Sequence, residues 1–141
     1  MREIEYRAWR KPYKDWDGTV VDGKMFTVSS IHLGTRKVMV GFSEDRYSGN
    51  MSLLFCDIEL EQFTGLLDKN GTKIFEGDIL RVVDGLGDTL PYTVFWSQEN
   101  CAFDWRDATG TDYFYQAIAK NSIIIGNIHD NKLEDFNGTG N

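Results

Sequence analysis

Cysteine, proline and histidine are scarce in this chain, with two of each. Cys56 and Cys101 form no CxxC pair, so the minimal ligand spacing of a zinc ribbon or a thioredoxin-type redox site is missing. Each cysteine lies among apolar neighbours, Leu53-Leu54-Phe55 and Ala102-Phe103, and the expectation is two buried, reduced thiols. His32 and His129 are the only imidazoles, and no GxSxG elbow exists to supply an activated serine for either. No GK[ST] follows a glycine-rich loop, and Gly85-Leu86-Gly87 lacks the third glycine and the helix of a dinucleotide site. Nucleophilic catalysis and nucleotide hydrolysis are therefore unsupported. Long apolar runs are missing too. None approaches the length of a membrane span, and Met1-Arg2-Glu3-Ile4-Glu5 has no apolar signal region. The expectation is a soluble, cytoplasmic protein with no membrane partner.

Positive charge is also in deficit: 15 Lys and Arg stand against 22 Asp and Glu, a net of −7. The deficit is uneven. Residues 1–63 are close to balance, whereas residues 64–130 carry five basic side chains against ten acidic ones. A nucleic-acid binder ordinarily turns a basic face to phosphates, so the second half argues against that function. One basic cluster remains, Arg7, Arg10, Lys11 and Lys14, near the aromatics Trp9 and Trp16. Its plain reading is a solvated strand end and loop.

What the chain does have is aromatic and β-branched residues in short alternating runs. No i, i+3, i+4, i+7 pattern lasts three turns, and turn signals recur about every 8–12 residues, which points to an all-β fold, a barrel or sandwich, with at most short helical turns. Strands are expected at Ile4–Trp9, Met25–Ser30, Lys37–Phe42, Met51–Leu60, Tyr92–Trp96, Cys101–Trp105 and Ile123–Ile125, and Tyr113–Ala119 reads as a strand or one helical turn, the strand being preferred. In the Met51–Leu60 strand Cys56, Ile58 and Leu60 would share a face. Ser43–Asn50 and Asp84–Asp88 read as loops, and Leu133–Phe136 as a last helical turn. A chain this long buries roughly two thirds of its unfolded surface, so it folds without disulfides.

The clearest local signal is QFTGLLDKNGTKIFEGDIL, Gln62 to Leu80. Asp68-Lys69-Asn70-Gly71 is a reversal, because Asn and Gly tolerate the positive φ of a tight turn. Gly77 then falls in mid-strand, where a glycine permits a bulge or corner. With the strands after it, this hairpin predicts an SH3-like small barrel over 63–130, packed with an N-terminal β subdomain over 1–62 and followed by a short tail over 131–141.

Three segments in order give a resemblance. Tyr6-Arg7-Ala8-Trp9 opens the chain, Gln62-Phe63-Thr64-Gly65-Leu66 with Asp68-Lys69-Asn70-Gly71 and Glu76-Gly77-Asp78 forms its centre, and Gly126-Asn127-Ile128 comes late. Together they resemble the YopX family of phage and prophage proteins. In that family the late element tends to continue with Asn-Pro and a short helix, whereas this chain has Asn131-Lys132-Leu133. The resemblance implies a small, largely β, phage-encoded protein of the bacterial cytoplasm. It brings no activity, cofactor or catalytic residue. Trp9, Gly65, Asp68, Asn70, Gly71, Glu76, Gly77, Asp78, Gly126 and Asn127 enter as structural motif positions.

Other constellations read blandly. A calcium loop starting at Asp68 would need its glycine at position 73, which is Lys73. Glu76 and Asp78 are two apart and would face the same way in a regular strand, as a metal or acid–base pair would, but Asp78 capping a turn is the simpler account and no third ligand is apparent. No catalytic, cofactor-binding or metal residue is assigned. The functional expectation is a non-enzymatic protein-interaction module whose aromatics Trp105, Tyr113, Phe114 and Tyr115 meet a phage or host protein or a second copy of the chain. Its alternative is a nucleic-acid module using Arg7, Arg10, Lys11 and Lys14. A carboxylate-based metalloenzyme at Glu76 and Asp78 comes third.

Overall fold

The computed structural model describes residues 2–83 and 90–131. The expected loop at Asp84–Asp88 and the expected last turn at Leu133–Phe136 lie outside those residues. The backbone clusters into two compact units, Glu5–Gln62 and a second made of Phe63 onward with the residues up to Ile4.

The N-terminal unit is an antiparallel sheet. Its strands are β1 (Tyr6–Arg10), β2 (Tyr13–Lys14), β3 (Val20–Val21), β4 (Lys24–His32), β5 (Lys37–Glu44), β6 (Tyr47–Leu54) and the first half of β7 (Ile58–Leu67). The sheet order is β6-β5-β4-β1-β7, and β2 pairs with β3 in a separate small hairpin. The order follows from Ala8. Ala8 is fully buried and lies opposite Phe26 on one side and Leu60 on the other. A methyl at the centre lets two large cross-strand neighbours close over it, and Val38, Val40 and Ile58 complete the core. Trp9 fixes the next step. Its indole lies against Gly23, where a Cβ would sit 2.2 Å from Cζ2 and 2.7 Å from Cε2.

The unit corrects three expectations. Ser43–Asn50 is not a loop, because a tight reversal at Asp45, with φ of +27°, lets β5 and β6 pair in unbroken register from Lys37↔Leu54 to Glu44↔Tyr47. Met51–Leu60 is not one strand. A 3-10 turn at Phe55–Asp57 interrupts it, with the Phe55 N–H donating to the Arg36 carbonyl at 2.9 Å. Cys56 sits in that turn and is exposed rather than buried. Its apolar neighbours belong to the strand before it, so composition pointed inward where the backbone points out.

The C-terminal unit begins with the hairpin of β7 and β8 (Lys73–Phe75), paired at Phe63↔Phe75 and Leu67↔Lys73. The register shift between those pairs coincides with Gly65 at φ +88°, a bulge the sequence did not announce. Then come β9 (Asp78–Val82), β10 (Tyr92–Ser97), β11 (Ala102–Asp107), β12 (Gly110–Tyr113), helix α1 (Gln116–Lys120) and β13 (Ser122–Asn127). They form a five-stranded antiparallel sheet in the order β12-β11-β10-β9-β13. Ile74, Leu80, Tyr92, Val94, Phe114 and Ala119 make its core. Tyr113–Ala119 is not a continuous strand. The chain leaves β12 at Tyr113, passes through an extended link in which Phe114 is buried and Tyr115 exposed, and makes one helical turn that buries Ala119. Cys101 is also exposed, at a turn with φ of +50°.

The motif residues of this unit are main-chain latches. Asp68 is buried. Its Oδ1 accepts from the Asn70 and Thr72 amides, each at 2.9 Å, and its Oδ2 from the Ile124 amide at 3.2 Å. Gly71 follows at φ +80°. Gly77 is not in mid-strand but in the two-residue turn between β8 and β9, at φ +86°. Its N–H donates to the Val94 carbonyl at 2.7 Å and its carbonyl accepts from the Ile128 amide at 2.9 Å. Asp78 is buried and accepts from the Phe75 amide at 2.8 Å, closing that turn. Gly126 lies within β13 at a register shift, and Asn127 caps the turn after it by accepting from the His129 and Asp130 amides.

Candidate functional site

The basic cluster separates into three environments. Arg7 and Glu61 are direct cross-strand partners on β1 and β7, and the guanidinium grips the Glu61 carboxylate with Nε and Nη2 at 2.8 and 2.7 Å. Both donors meet the one oxygen, Oε2, and the pair is largely buried and holds two strands together. Lys14 is exposed on β2. Arg10 and Lys11 instead line a cleft of about 500 Å3 in the N-terminal unit, with Pro12, Tyr13, Met51 and Leu53 as its apolar wall and Cys56 and Asp57 at its side.

Local chemistry builds this cleft. Pro12 ends β1 pairing and turns the chain into the β2–β3 hairpin. The Lys11 amide donates to the Asp57 carbonyl at 2.9 Å, which fastens the strand end to the 3-10 turn. Arg10 is stacked, its guanidinium carbon 5.2 Å from the centroid of Tyr13 and 5.4 Å from that of Phe26. Its Nη2 donates to the Asp22 carbonyl at 3.2 Å, while its Nε is buried without a hydrogen-bond partner. Lys11 Nζ reaches the Cys56 carbonyl at 3.5 Å.

The hairpin beside the cleft is ordered by its own carboxylates. Asp15 accepts from the Trp16 amide and Asp17 from the Thr19 amide, each at 2.9 Å, and backbone bonds link Asp15 to Thr19 and Gly18. Hydrogen bonds from the Thr19 side chain and amide hold the Asp17 carboxyl below its ordinary value. The loop so fixed presents Trp16 at 92% exposure, next to half-exposed Tyr13 and Val20. Sequence reasoning found Arg10 and Lys11 but missed the wall opposite them. The available signal is the Met51/Leu53 alternation, which composition merges into the longer Met51–Leu60 run.

The other predicted aromatics divide evenly. Trp105 packs on Tyr92 with centroids 5.1 Å apart and Phe114 lies in the core, whereas Tyr113 and Tyr115 are exposed. Trp96, also half-exposed, lies edge-on to Phe103. Glu76 and Asp78 flank the Gly77 turn, with the Asp78 carboxylate engaged by the Phe75 amide. His32 is exposed and 3.1 Å from the Ser30 hydroxyl. Among the described residues no helix is long and apolar enough to cross a membrane.

The YopX protein family model matches residues 5–134, nearly the whole chain. The chain belongs to the YopX family. No curated protein matches it. A solved structure that it resembles is that of protein EF1440 from Enterococcus faecalis, with a TM-score of 0.56 and 21% identity over 93% of this chain and 96% of that one. That likeness bears on the fold. Within the YopX assignment, the motif positions Asp68, Gly77, Asp78 and Asn127 are the latches described above, and the cleft lies outside the motif, on β1, β2, β6 and the 3-10 turn.

Proposed function

We propose that this YopX protein is a phage accessory protein that works by non-enzymatic contact with another protein, and that the N-terminal cleft is its recognition site. The cleft itself carries this reading. It combines an apolar wall of Pro12, Tyr13, Met51 and Leu53 with two cations, Arg10 and Lys11, in a volume suited to a few side chains. A guanidinium held between two rings is pre-organised, so little entropy is lost when a carboxylate arrives. The ligand so described is a peptide segment with one carboxylate beside a large apolar side chain. A repeated polyanion fits less well, because Asp57 lines the cleft itself and the chain that runs on from Tyr13 carries Asp15, Asp17 and Asp22. The C-terminal aromatics support the reading less, since Trp105 and Phe114 serve the core.

The test uses the two exposed thiols. Random peptides are selected on the intact protein, and the enriched ones are used to protect it from iodoacetamide. Peptides pairing an acid with an apolar residue should shield Cys56 and leave Cys101 reactive. Lys11→Glu should weaken them about tenfold, the scale of one charge-assisted contact. Shielding of neither thiol, or of both alike, would overturn the site. Oligothymidine that shields Cys56 and is released steeply by salt would establish the nucleic-acid alternative instead.

A further inference from the structure

Edge strands invite pairing with other chains, and proteins blunt them with charge, proline, bulges or brevity. The C-terminal sheet does so at both ends. β12 has four residues and carries Asp112, and β13 is bulged at Gly126. β6 ends the strand order of the N-terminal sheet and has none of these devices. Its sequence YSGNMSLL contains no charge and no proline, it runs eight residues, and its register with β5 is unbroken. Six of the eight residues are exposed, Met51 and Leu53 being the others.

The charges at the two ends of the β5–β6 hairpin indicate what pairs there. At the turn end stand Glu44, Asp45 and Arg46, a net of −1. At the open end stand Arg36 and Lys37, a net of +2, with Lys37 directly opposite Leu54. A second hairpin of the same kind, laid antiparallel along β6, brings its acidic turn to the basic open end, and the two-fold axis makes that contact twice. A parallel partner would set like charge against like.

We infer that β6 pairs with β6 of a second copy, so that the protein is an isologous two-fold dimer through a continuous antiparallel sheet. Main-chain hydrogen bonds supply the attraction, and the end charges select the antiparallel direction. Unlike the cleft reading, this needs no foreign ligand.

Sedimentation equilibrium of the full chain, from about 1 μM to about 1 mM, tests it. The expected mass rises from 16.2 kDa toward twice that value. Asn50→Lys with Ser52→Lys places two exposed lysines on the edge and should raise the dissociation constant at least about tenfold, with an unchanged melting temperature at about 1 μM, where both chains are monomers. Lys37→Glu alone should weaken the dimer, and adding Glu44→Lys should restore it. A monomer at every concentration overturns the proposal. So does a dimer indifferent to the two edge lysines.

Discussion

Removing the Asp68 carboxylate should loosen the C-terminal unit at one identifiable joint. Asp68→Ala leaves three amides without their acceptor, those of Asn70, Thr72 and Ile124. The first two are exposed and water replaces the carboxylate, so each costs up to about 1 kcal/mol. Ile124 is half-buried in β13, and its orphaned N–H costs about 1–3 kcal/mol. The sum is about 1–5 kcal/mol, a fall of about 3–17 °C in melting temperature for a chain of this size. Asp68→Asn keeps one acceptor oxygen but turns an NH2 toward either the turn or β13, so its loss should be about half as large. Urea unfolding followed by tryptophan fluorescence measures both. Hydrogen exchange at the Ile124 amide localises the effect. A loss below about 0.5 kcal/mol for Asp68→Ala would refute the reasoning, since that is the size of an unremarkable surface substitution.

Three further outcomes follow from the geometry. Gly23→Ala forces a methyl to within 2.2 Å of the Trp9 indole, and overpacking of that kind should cost about 1–3 kcal/mol and shift the Trp9 fluorescence. Gly77→Val puts a β-branched residue at φ +86° and should destabilise by about 1–3 kcal/mol in a thermal melt, with Gly34→Val as a control in open space. Burial pushes the Tyr92 hydroxyl up to about 12 from 10.0, against a hydrogen bond with Ser122 that pulls it down. The folded state therefore prefers the neutral phenol. Stability should be complete below pH 10 and fall as pH rises toward 12, by about 2–3 kcal/mol in total, and Tyr92→Phe should flatten that limb in urea titrations.

The legible parts of this fold were those that backbone chemistry dictates locally. Asp68-Lys69-Asn70-Gly71 could only be a reversal, and alternation in Lys37–Phe42 and Tyr92–Trp96 could only be strand. The illegible parts depended on partners distant in sequence. Gly65 bulges β7 because of its register with β8, and nothing around it marks that. Cys56 is exposed because the chain turns once between two strands that composition merges into one. Gly77 has the unusual backbone that a glycine in this position predicts, but it serves a turn at Glu76-Gly77 that strand alternation on both sides conceals. Of the cleft, Arg10 and Lys11 were visible as charge, while Arg7 beside them was spent on Glu61, a separation of 54 residues that no local pattern reports. The aromatic cluster failed in the same way: Phe114 and Tyr115 are neighbours in the extended link between β12 and α1, where adjacent side chains point to opposite sides, one buried and the other exposed.

The latches of the C-terminal unit also set an order of events during synthesis. The β7–β8 hairpin is local and can close as soon as it leaves the ribosome. Its fastenings come from the far end of the unit: the Ile124 amide reaches Asp68 across 56 residues, the Ser122 carbonyl accepts from Lys69, and the Ile128 amide reaches Gly77. At about 5–20 residues per second the hairpin waits about 3–11 s for them. During that interval β9 has one neighbour fewer, and its other long edge is open to whatever strand or chaperone arrives first. β13, the last strand made among the described residues, is therefore the one that commits the unit.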